Sequence, residues 1–229
     1  MKNLILCFSS FHVNSDPNNQ REVEYLKCYE QLLRVKPSNF DLLFVDNTTS
    51  NINSIANNNL KNIINGHKHI LYDQNIGVHN KGLGELHMLS IAQQAIDFNH
   101  YENVIYLTGR RIITCPYVFE KTEKLNKKAL MSNPPIIRIM DGYINDVNHA
   151  CYNDMFFAMK SNIMIKYIEY AKPFFDNVIN TFGSEEILYK FINENSISYE
   201  WIESLGFIRN DWNAASSVYN TDYKNFQFC

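Results

Sequence analysis

Several features that mark common protein classes are missing from this chain. Its five cysteines form no CxxC pair and show no regular spacing, which argues against a zinc site or a disulfide framework and favours buried thiols in a reducing compartment. The net charge of −3 excludes the overall positive field that nucleic-acid binders use. No apolar run approaches the roughly 20 residues of a membrane-spanning helix. We expect a cytoplasmic protein without a nucleic-acid partner, and leave open a peripheral association with the inner face of the membrane.

Glycine-rich nucleotide loops of the common kinds are also absent. The loop after the first apolar run, SSFHVNSDPN (residues 9–18), contains no glycine. The turn NIGVHNKGLGE (residues 75–85) has neither the GxGxxG spacing of dinucleotide-binding folds nor the spacing of a P-loop. Both classes are therefore excluded.

What the chain does contain is an alternation of short apolar runs and helical patterns. Helical periodicity covers residues 21–36 and 85–98, and an Asn-rich, helical or irregular segment lies between them. The predicted strands around these segments cover residues 3–9, 40–46, 68–73 and 103–109. This order predicts an α/β fold in which a mostly parallel, Rossmann-related sheet is flanked by helices, with ligands at the carboxyl ends of the strands.

The second half of the chain is less regular. Strands are predicted within residues 136–144 and 154–160, and helices within 163–170 and 185–193. The length of 229 residues and the 45% apolar composition favour a single domain over the whole chain.

Two adjacent arginines, Arg110 and Arg111, follow the fourth predicted strand and fall in the expected ligand crevice. Guanidinium groups form bidentate hydrogen bonds with phosphate, and Gly109 before them would let the backbone approach a ligand closely. Opposite unit charges about 4 Å apart attract by about 4 kcal/mol at an effective dielectric constant near 20. The pair could therefore hold a diphosphate. The alternative is that both arginines pair with surface acids at a strand end.

An ordered set of residues resembles the glycosyltransferases of the GT-A fold. Asp46 ends the strand in FVDNTT, and a turn with Asn75, Gly77, Asn80 and Gly82 leads into a helix. In that group the Asp lies near the nucleotide base, and the next strand ends in a metal-binding DxD motif.

The chain departs from that pattern at the DxD motif. Its fourth strand ends in TGRR, residues 108–111, and no two aspartates in the chain are two residues apart. The segment is similar to a DxD-lacking subset with a GRY-like motif, in which a lysine usually stands at the position of Leu107. Metal dependence is therefore not expected, and no cofactor is predicted.

The resemblance implies a hexosyltransferase-like enzyme of polysaccharide biosynthesis, which moves a sugar from a nucleotide-sugar donor to a glycan or lipid-linked acceptor with inversion. It assigns residues 1–115 to the donor and 116–229 to the acceptor. The donor-binding candidates are Ser9, Ser10, Phe11, Asp46, Asn75, Gly77, Asn80, Lys81, Thr108, Gly109, Arg110 and Arg111. Lys81 or Glu85 could touch the donor sugar. For Asp46 an Asx turn, and for Ser9 and Ser10 a plain serine turn, are the structural alternatives.

Inversion needs a general base for the acceptor hydroxyl, and the resemblance assigns that role to Glu185 or Glu186, with Glu185 preferred. Acids in the first turn of a helix are also stabilised by its dipole, so a structural role is the alternative. Asp154 is a further catalytic candidate, and it could equally bind an acceptor hydroxyl or cap a turn. Trp212 and Asn213 are acceptor-binding candidates, because sugars stack on aromatic rings and amides bind hydroxyls.

Two other functions fit part of the sequence. A sugar-phosphate nucleotidyltransferase shares a related sheet, but it normally has a glycine-rich loop directly after the first strand. A non-catalytic module that binds nucleotides or glycans is the second alternative.

Overall fold

The computed structural model describes residues 2–13, 16, 18–132, 136–138, 149–152, 155–177, 183–202 and 207–209. The strands in this part of the chain are β1 Lys2–Ser9, β2 Phe40–Asp46, β3 Lys68–Leu71, β4 Tyr101–Thr108, β5 Arg111–Ile113, β6 Ala129–Met131, β7 Ile136–Arg138, β8 His149–Cys151, β9 Phe156–Lys160, β10 Tyr199–Trp201 and β11 Phe207–Arg209.

Seven of these strands form the central sheet, in the order β10-β6-β9-β4-β1-β2-β3. Strands β3, β2, β1 and β4 are parallel, whereas β9 runs antiparallel to both β4 and β6. The sheet is therefore mostly parallel, as predicted. Two short antiparallel pairs, β5 with β11 and β7 with β8, accompany it.

The α-helices of the described residues cover both faces of the sheet. They are α1 Gln20–Val35, α2 Asn58–Asn65, α3 Lys81–Ala95, α4 Tyr117–Glu123, α5 Ser161–Ala171 and α6 Ser184–Glu194. Side chains of α1, α2 and α4 pack into the apolar cluster on one face, and those of α3, α5 and α6 into the cluster on the other. Within the described chain, no helix is both long and apolar enough to cross a membrane.

The predicted order of elements in the first half is confirmed, and the differences have local causes. Helix α3 begins at Lys81 rather than Glu85, because the side chain of Asn80 accepts a hydrogen bond from the backbone N–H of Leu83 and caps the helix. It ends at Ala95, before a 3₁₀ turn at Phe98–His100. Strands β5 and β6 and helix α4 were not predicted, since each is too short to show a periodicity. The division of the chain into a donor half and an acceptor half stays a prediction.

The glycines of the turn between β3 and α3 are explained by close packing. A Cβ atom on Gly84 would lie 2.6 Å from the Cα of Gly77. One on Gly82 would lie 2.7 Å from the hydroxyl oxygen of Ser184, the first residue of α6. The first turn of α3 is therefore held against its own preceding loop on one side and against α6 on the other.

We expect Gly84→Ala to lower the free energy of unfolding by about 1 to 2 kcal/mol. The clash with the Gly77 backbone outweighs the gain of about 1 kcal/mol that Ala brings to a helix. The melting temperature, followed by circular dichroism, should fall by about 2 to 8 °C.

Gly66→Ala is the matched control. Gly66 has right-handed helical dihedral angles, φ −74° and ψ −5°, and an added Cβ would approach nothing closer than 3.3 Å. Its melting temperature should stay near that of the parent protein. Equal stability of the Gly84 and Gly66 variants would contradict the packing account.

Candidate functional site

A cleft of about 550 Å³ opens at the carboxyl ends of the central parallel strands. Chain segments that follow β1, β2, β3 and β4 contribute to its walls, together with the first turns of α1 and α3. In the sheet, β2 and β4 lie on opposite sides of β1, so the connections from β1 to β2 and from β3 to β4 run in opposite directions. The cleft lies at this switch point, where open α/β sheets bind ligands. The predicted donor residues that line it are Ser9, Ser10, Asn75, Gly77, Lys81, Thr108, Gly109, Arg110 and Arg111.

Asp46 lies beneath the cleft rather than on its surface. Its side chain is buried, and one carboxylate oxygen accepts hydrogen bonds from the backbone N–H and the hydroxyl of Thr48, at 2.8 and 2.6 Å. The other oxygen accepts from the backbone N–H of Phe11 at 2.9 Å. Burial raises the pKa of Asp46, and these hydrogen bonds oppose that shift. The Asx turn that was the structural alternative is thus present, and contact with a nucleotide base stays a prediction.

Hydrogen bonds between side chains connect three loops along the cleft. The hydroxyl of Ser10 donates to Asn47 at 2.8 Å, and the Asn47 amide donates to Asn75 at 2.9 Å. Asn75 also accepts from the backbone N–H of Gly77 at 2.9 Å. Ser9 is buried and donates to the carbonyl of Val45 at 3.2 Å. The loops after β1, β2 and β3 therefore hold one another in place.

Besides Asp46, two further predicted donor residues are not among the described residues that line the cleft. The ring of Phe11 is buried and packs edge-on against Tyr25, with 5.2 Å between ring centroids. Asn80 caps α3 through its side chain. Their binding roles stay predictions.

Arg110 is held on the α1 side of the cleft by an ion pair. Its Nη1 lies 3.3 Å from a carboxylate oxygen of Glu24, whose side chain is only 4% exposed. Arg21, in the first turn of α1, also lines the cleft and donates from Nη1 to the Ser10 carbonyl at 3.1 Å. The arginines at the end of β4 are thus joined by an arginine from α1.

The hydroxyl of Tyr25 lies among these cations. It accepts a hydrogen bond from the backbone N–H of Ser10 at 3.0 Å. Burial raises the pKa of Tyr25 to about 12, while the positive charges of Arg110 and Arg21 act in the opposite direction. Both arginines therefore contribute to the electrostatic field at one point of the cleft wall.

Gly109 lines the cleft and also has a packing role, while its expected role in ligand binding stays a prediction. A Cβ atom there would lie 2.5 Å from the carbonyl oxygen of Phe8 and 2.8 Å from the ring of Tyr25. Its backbone N–H donates to that same carbonyl at 2.8 Å. The absent side chain thus lets β4 and β1 meet α1, and this fixes the backbone from which Arg110 extends.

Glu85 faces the cleft from the opposite side of the sheet. One carboxylate oxygen accepts a hydrogen bond of 2.6 Å from the buried hydroxyl group of Tyr106, and the other lies 3.7 Å from the Lys81 ammonium. The ring of Tyr106 stacks on Phe157 at 4.5 Å between centroids. Glu85 is only 13% exposed, whereas Lys81 is 81% exposed. The Glu85 carboxylate is therefore both oriented and largely shielded.

A buried glutamate, Glu22, joins the loop after β1 to the segment before α2. Its carboxylate accepts hydrogen bonds from the backbone N–H groups of Ala56 and Asn57, at 3.1 and 2.7 Å. It also lies 3.2 Å from Nε2 of His12, a cleft residue. Glu22 therefore positions one rim of the cleft.

The predicted base residues lie at the start of α6. Glu186 accepts a hydrogen bond from the backbone N–H of Gly183 at 3.1 Å, and the carbonyl of Glu185 accepts from the backbone N–H of Tyr152 at 3.3 Å. Neither is among the described residues that line the cleft, although α6 begins against the first turn of α3. Asp154, Trp212 and Asn213 lie outside the described residues. All these roles stay predictions.

Few acidic side chains lie among the described residues of the cleft. Nowhere in the described ranges do three or more His, Cys, Asp or Glu side chains converge as metal ligands. Manganese prefers carboxylate and other oxygen ligands. The acids among the described cleft residues are Asp73 and Glu85, and the second of these is engaged by Tyr106 and Lys81. At the end of β4 the cleft presents arginines.

Several residues of this cleft were missed at the sequence level. His12, Arg21 and Tyr25 are cleft residues, and Glu24 pairs with Arg110. The signal available was the helical pattern of α1, on which Arg21, Glu24 and Tyr25 share one side at spacings of three and four residues. The sequence alone does not show that this side meets the end of β4.

Comparison with known proteins shows the fold and not the activity. No protein-family model and no curated protein sequence matches the chain. Among solved structures it resembles a mannosyltransferase from Pyrobaculum calidifontis in complex with GDP-Man and Mn²⁺, with 8% identity over 91% of this chain and 56% of that one, at a TM-score of 0.55.

Two further solved structures have the same fold. A cytidylyltransferase from Leptospira borgpetersenii is 13% identical over 92% of this chain and 78% of its own, at a TM-score of 0.52. The Mn/GDP form of core-mannan synthase A from Aspergillus fumigatus is 10% identical over 88% of this chain and 73% of its own, at a TM-score of 0.50. The fold is therefore of the class that GT-A glycosyltransferases and nucleotidyltransferases share.

We expect Glu22→Ala to lower the free energy of unfolding by about 2 to 3 kcal/mol. The change leaves the N–H groups of Ala56 and Asn57 without their charged acceptor. Urea denaturation measures the difference. Glu30→Ala, at an exposed position of the same helix, is the control and should change the value by less than about 0.5 kcal/mol. A Glu22 variant as stable as the control would show that these hydrogen bonds contribute nothing.

Proposed function

We propose that the protein transfers a sugar from a nucleotide-sugar donor to a glycan or lipid-linked acceptor, with inversion and without a bound metal. The observation that carries this proposal is the set of arginines, Arg21, Arg110 and Arg111, at a cleft that lies at the carboxyl ends of parallel strands. A lipid-linked acceptor would bring the cytoplasmic protein to the inner face of the membrane.

The charge and size of the cleft support a nucleotide-sugar ligand. A volume of about 550 Å³ lies within the range of roughly 300 to 1,000 Å³ typical of small-molecule sites. Guanidinium groups bind phosphate oxygens in pairs of charge-assisted hydrogen bonds, so Arg110 and Arg111 would hold the diphosphate. The amides and hydroxyls of Ser10, Asn47 and Asn75 lie along the same cleft and would face the nucleoside.

In the proposed reaction the acceptor hydroxyl oxygen attacks the anomeric carbon of the donor sugar. The bond from that carbon to the diphosphate breaks, and the nucleoside diphosphate leaves with the bonding electrons. Arg110 and Arg111 stabilise the charge that develops on it. The carboxylate of Glu185 or Glu186 takes the proton from the acceptor hydroxyl.

A sugar-phosphate nucleotidyltransferase is the second candidate, and the likeness to a cytidylyltransferase favours it. The same arginines would then bind a nucleoside triphosphate, and pyrophosphate would be released. The absence of glycine from residues 9–18 weighs against this reaction. A non-catalytic binding module would bind nucleotides without turnover.

We expect Arg110→Ala to weaken the binding of a nucleoside diphosphate at least tenfold. A charge-assisted hydrogen bond contributes about 1.5 to 3 kcal/mol, and tenfold corresponds to about 1.4 kcal/mol. Isothermal titration calorimetry with UDP, GDP and CDP measures this, in the presence of EDTA. Binding in EDTA should persist in the parent protein.

Two further variants make this test interpretable. Arg110→Ala removes the ion pair with the buried Glu24 carboxylate, which itself destabilises the fold. Arg110→Lys keeps the charge but removes the bidentate geometry, and it should also lose affinity. Arg34 is an exposed arginine of the same helix as Glu24, and the Arg34→Ala variant should bind the nucleoside diphosphate as the parent protein does. Strict dependence on manganese, with the Arg110 variants unaffected, would refute the metal-free proposal.

Product analysis separates the three functions. The protein is incubated with nucleotide sugars, or with nucleoside triphosphates and sugar phosphates, and the products are identified by mass spectrometry. Release of a nucleoside diphosphate supports the glycosyltransferase. Release of pyrophosphate supports the nucleotidyltransferase, and binding without any product supports the module.

A further inference from the structure

The charged groups of the cleft are divided between the two faces of the sheet. Tyr25 of α1 belongs to one apolar cluster, and Arg110 is anchored by Glu24 on that same helix. Tyr106, which orients Glu85, belongs to the cluster on the opposite face. The cleft thus has a cationic side at α1 and, at α3, a carboxylate side on which the exposed Lys81 ammonium lies 3.7 Å from Glu85.

This division indicates a ligand with two chemically different ends. The cationic side suits an anionic group such as a diphosphate. The carboxylate side suits a group that donates hydrogen bonds and carries no negative charge, because a largely buried carboxylate repels a second anion. A hydroxylated sugar ring has that character.

We propose that Glu85 accepts hydrogen bonds from hydroxyl groups of the donor sugar and so determines which sugars are used. The donors it favours are nucleotide sugars with a neutral ring, and those it excludes carry a carboxylate on the sugar. This inference rests on the proposed function of the cleft, since it assumes a nucleotide-sugar donor.

The surroundings of Glu85 suit this role. The hydrogen bond from the Tyr106 hydroxyl at 2.6 Å fixes one oxygen, and the stack of Tyr106 on Phe157 fixes the tyrosine in turn. The second oxygen forms an ion pair of 3.7 Å with the ammonium of Lys81, which is longer than an ordinary hydrogen bond and involves a lysine that is 81% exposed. This oxygen can therefore accept hydrogen bonds from a ligand in the cleft.

The test compares binding of UDP, UDP-glucose and UDP-glucuronate, or the matching GDP set if calorimetry shows that GDP binds better. The parent protein should bind the hexose nucleotide at least tenfold more tightly than the uronate. Glu85→Gln, which keeps the shape but removes the charge, should bind the nucleoside diphosphate within about twofold of the parent. The affinity of the Glu85→Gln variant for the hexose nucleotide should fall at least tenfold. Its affinities for the hexose nucleotide and for the uronate nucleotide should become similar.

A partner variant and a control accompany this measurement. Tyr106→Phe leaves the charge of Glu85 but removes its orienting hydrogen bond, so it should weaken hexose-nucleotide binding and keep the rejection of the uronate. Glu120→Gln, at an exposed position of α4, should match the parent in every case. Melting curves show that each variant is folded.

The outcomes separate this inference from the proposal on which it rests. If no nucleotide binds to the parent protein, both are wrong. If nucleotides bind but Glu85→Gln leaves the sugar preference unchanged, only the role of Glu85 is wrong. An equal loss of affinity for the nucleoside diphosphate and for its sugar conjugate would show that Glu85 shapes the cleft as a whole, which also contradicts the inference.

Discussion

The cleft depends on one buried carboxylate, that of Asp46. Taking this group out of water is costly, and its raised pKa is the sign of that cost. The hydrogen bonds it accepts from Phe11 and Thr48 compensate for it and tie the loop after β1 to the loop after β2. The hydroxyl of Thr48 also accepts a hydrogen bond from the backbone N–H of His12, so the backbone of this cleft residue is held in place as well. Phe11 and His12, the described residues of the loop after β1 that take part, are thereby fixed against the loop after β2.

Much of the fold could be predicted from the sequence, because each central element carries its own periodicity. Strands β1, β2 and β4 are continuous apolar runs, and α1 has a clear helical pattern. The expectation that Ser9, Asn75 and Arg110 meet at one edge follows from parallel topology alone, and all three line the cleft.

The rest required three-dimensional information. Glu24 and Arg110 are 86 positions apart in the sequence, and Glu85 and Tyr106 are 21 apart. Neither contact can be recognised from the local periodicity of the sequence. The glycines near α3 have packing roles that the sequence does not show: a side chain on Gly84 would clash with Gly77, and one on Gly82 would clash with Ser184. Sequence reasoning therefore identified the edge of the sheet at which the cleft lies, but not how charge is distributed within it.

The ion pair between Arg110 and Glu24 affects how an anionic ligand can bind in this cleft. An anion that approaches Arg110 meets a guanidinium whose charge is already partly balanced by a shielded carboxylate. A free anion loses translational freedom when it binds, whereas the Glu24 carboxylate belongs to the same molecule and does not. A multivalent anion can therefore compete with Glu24 for Arg110 better than a monovalent one. A cleft built in this way would favour a multivalent anion over chloride.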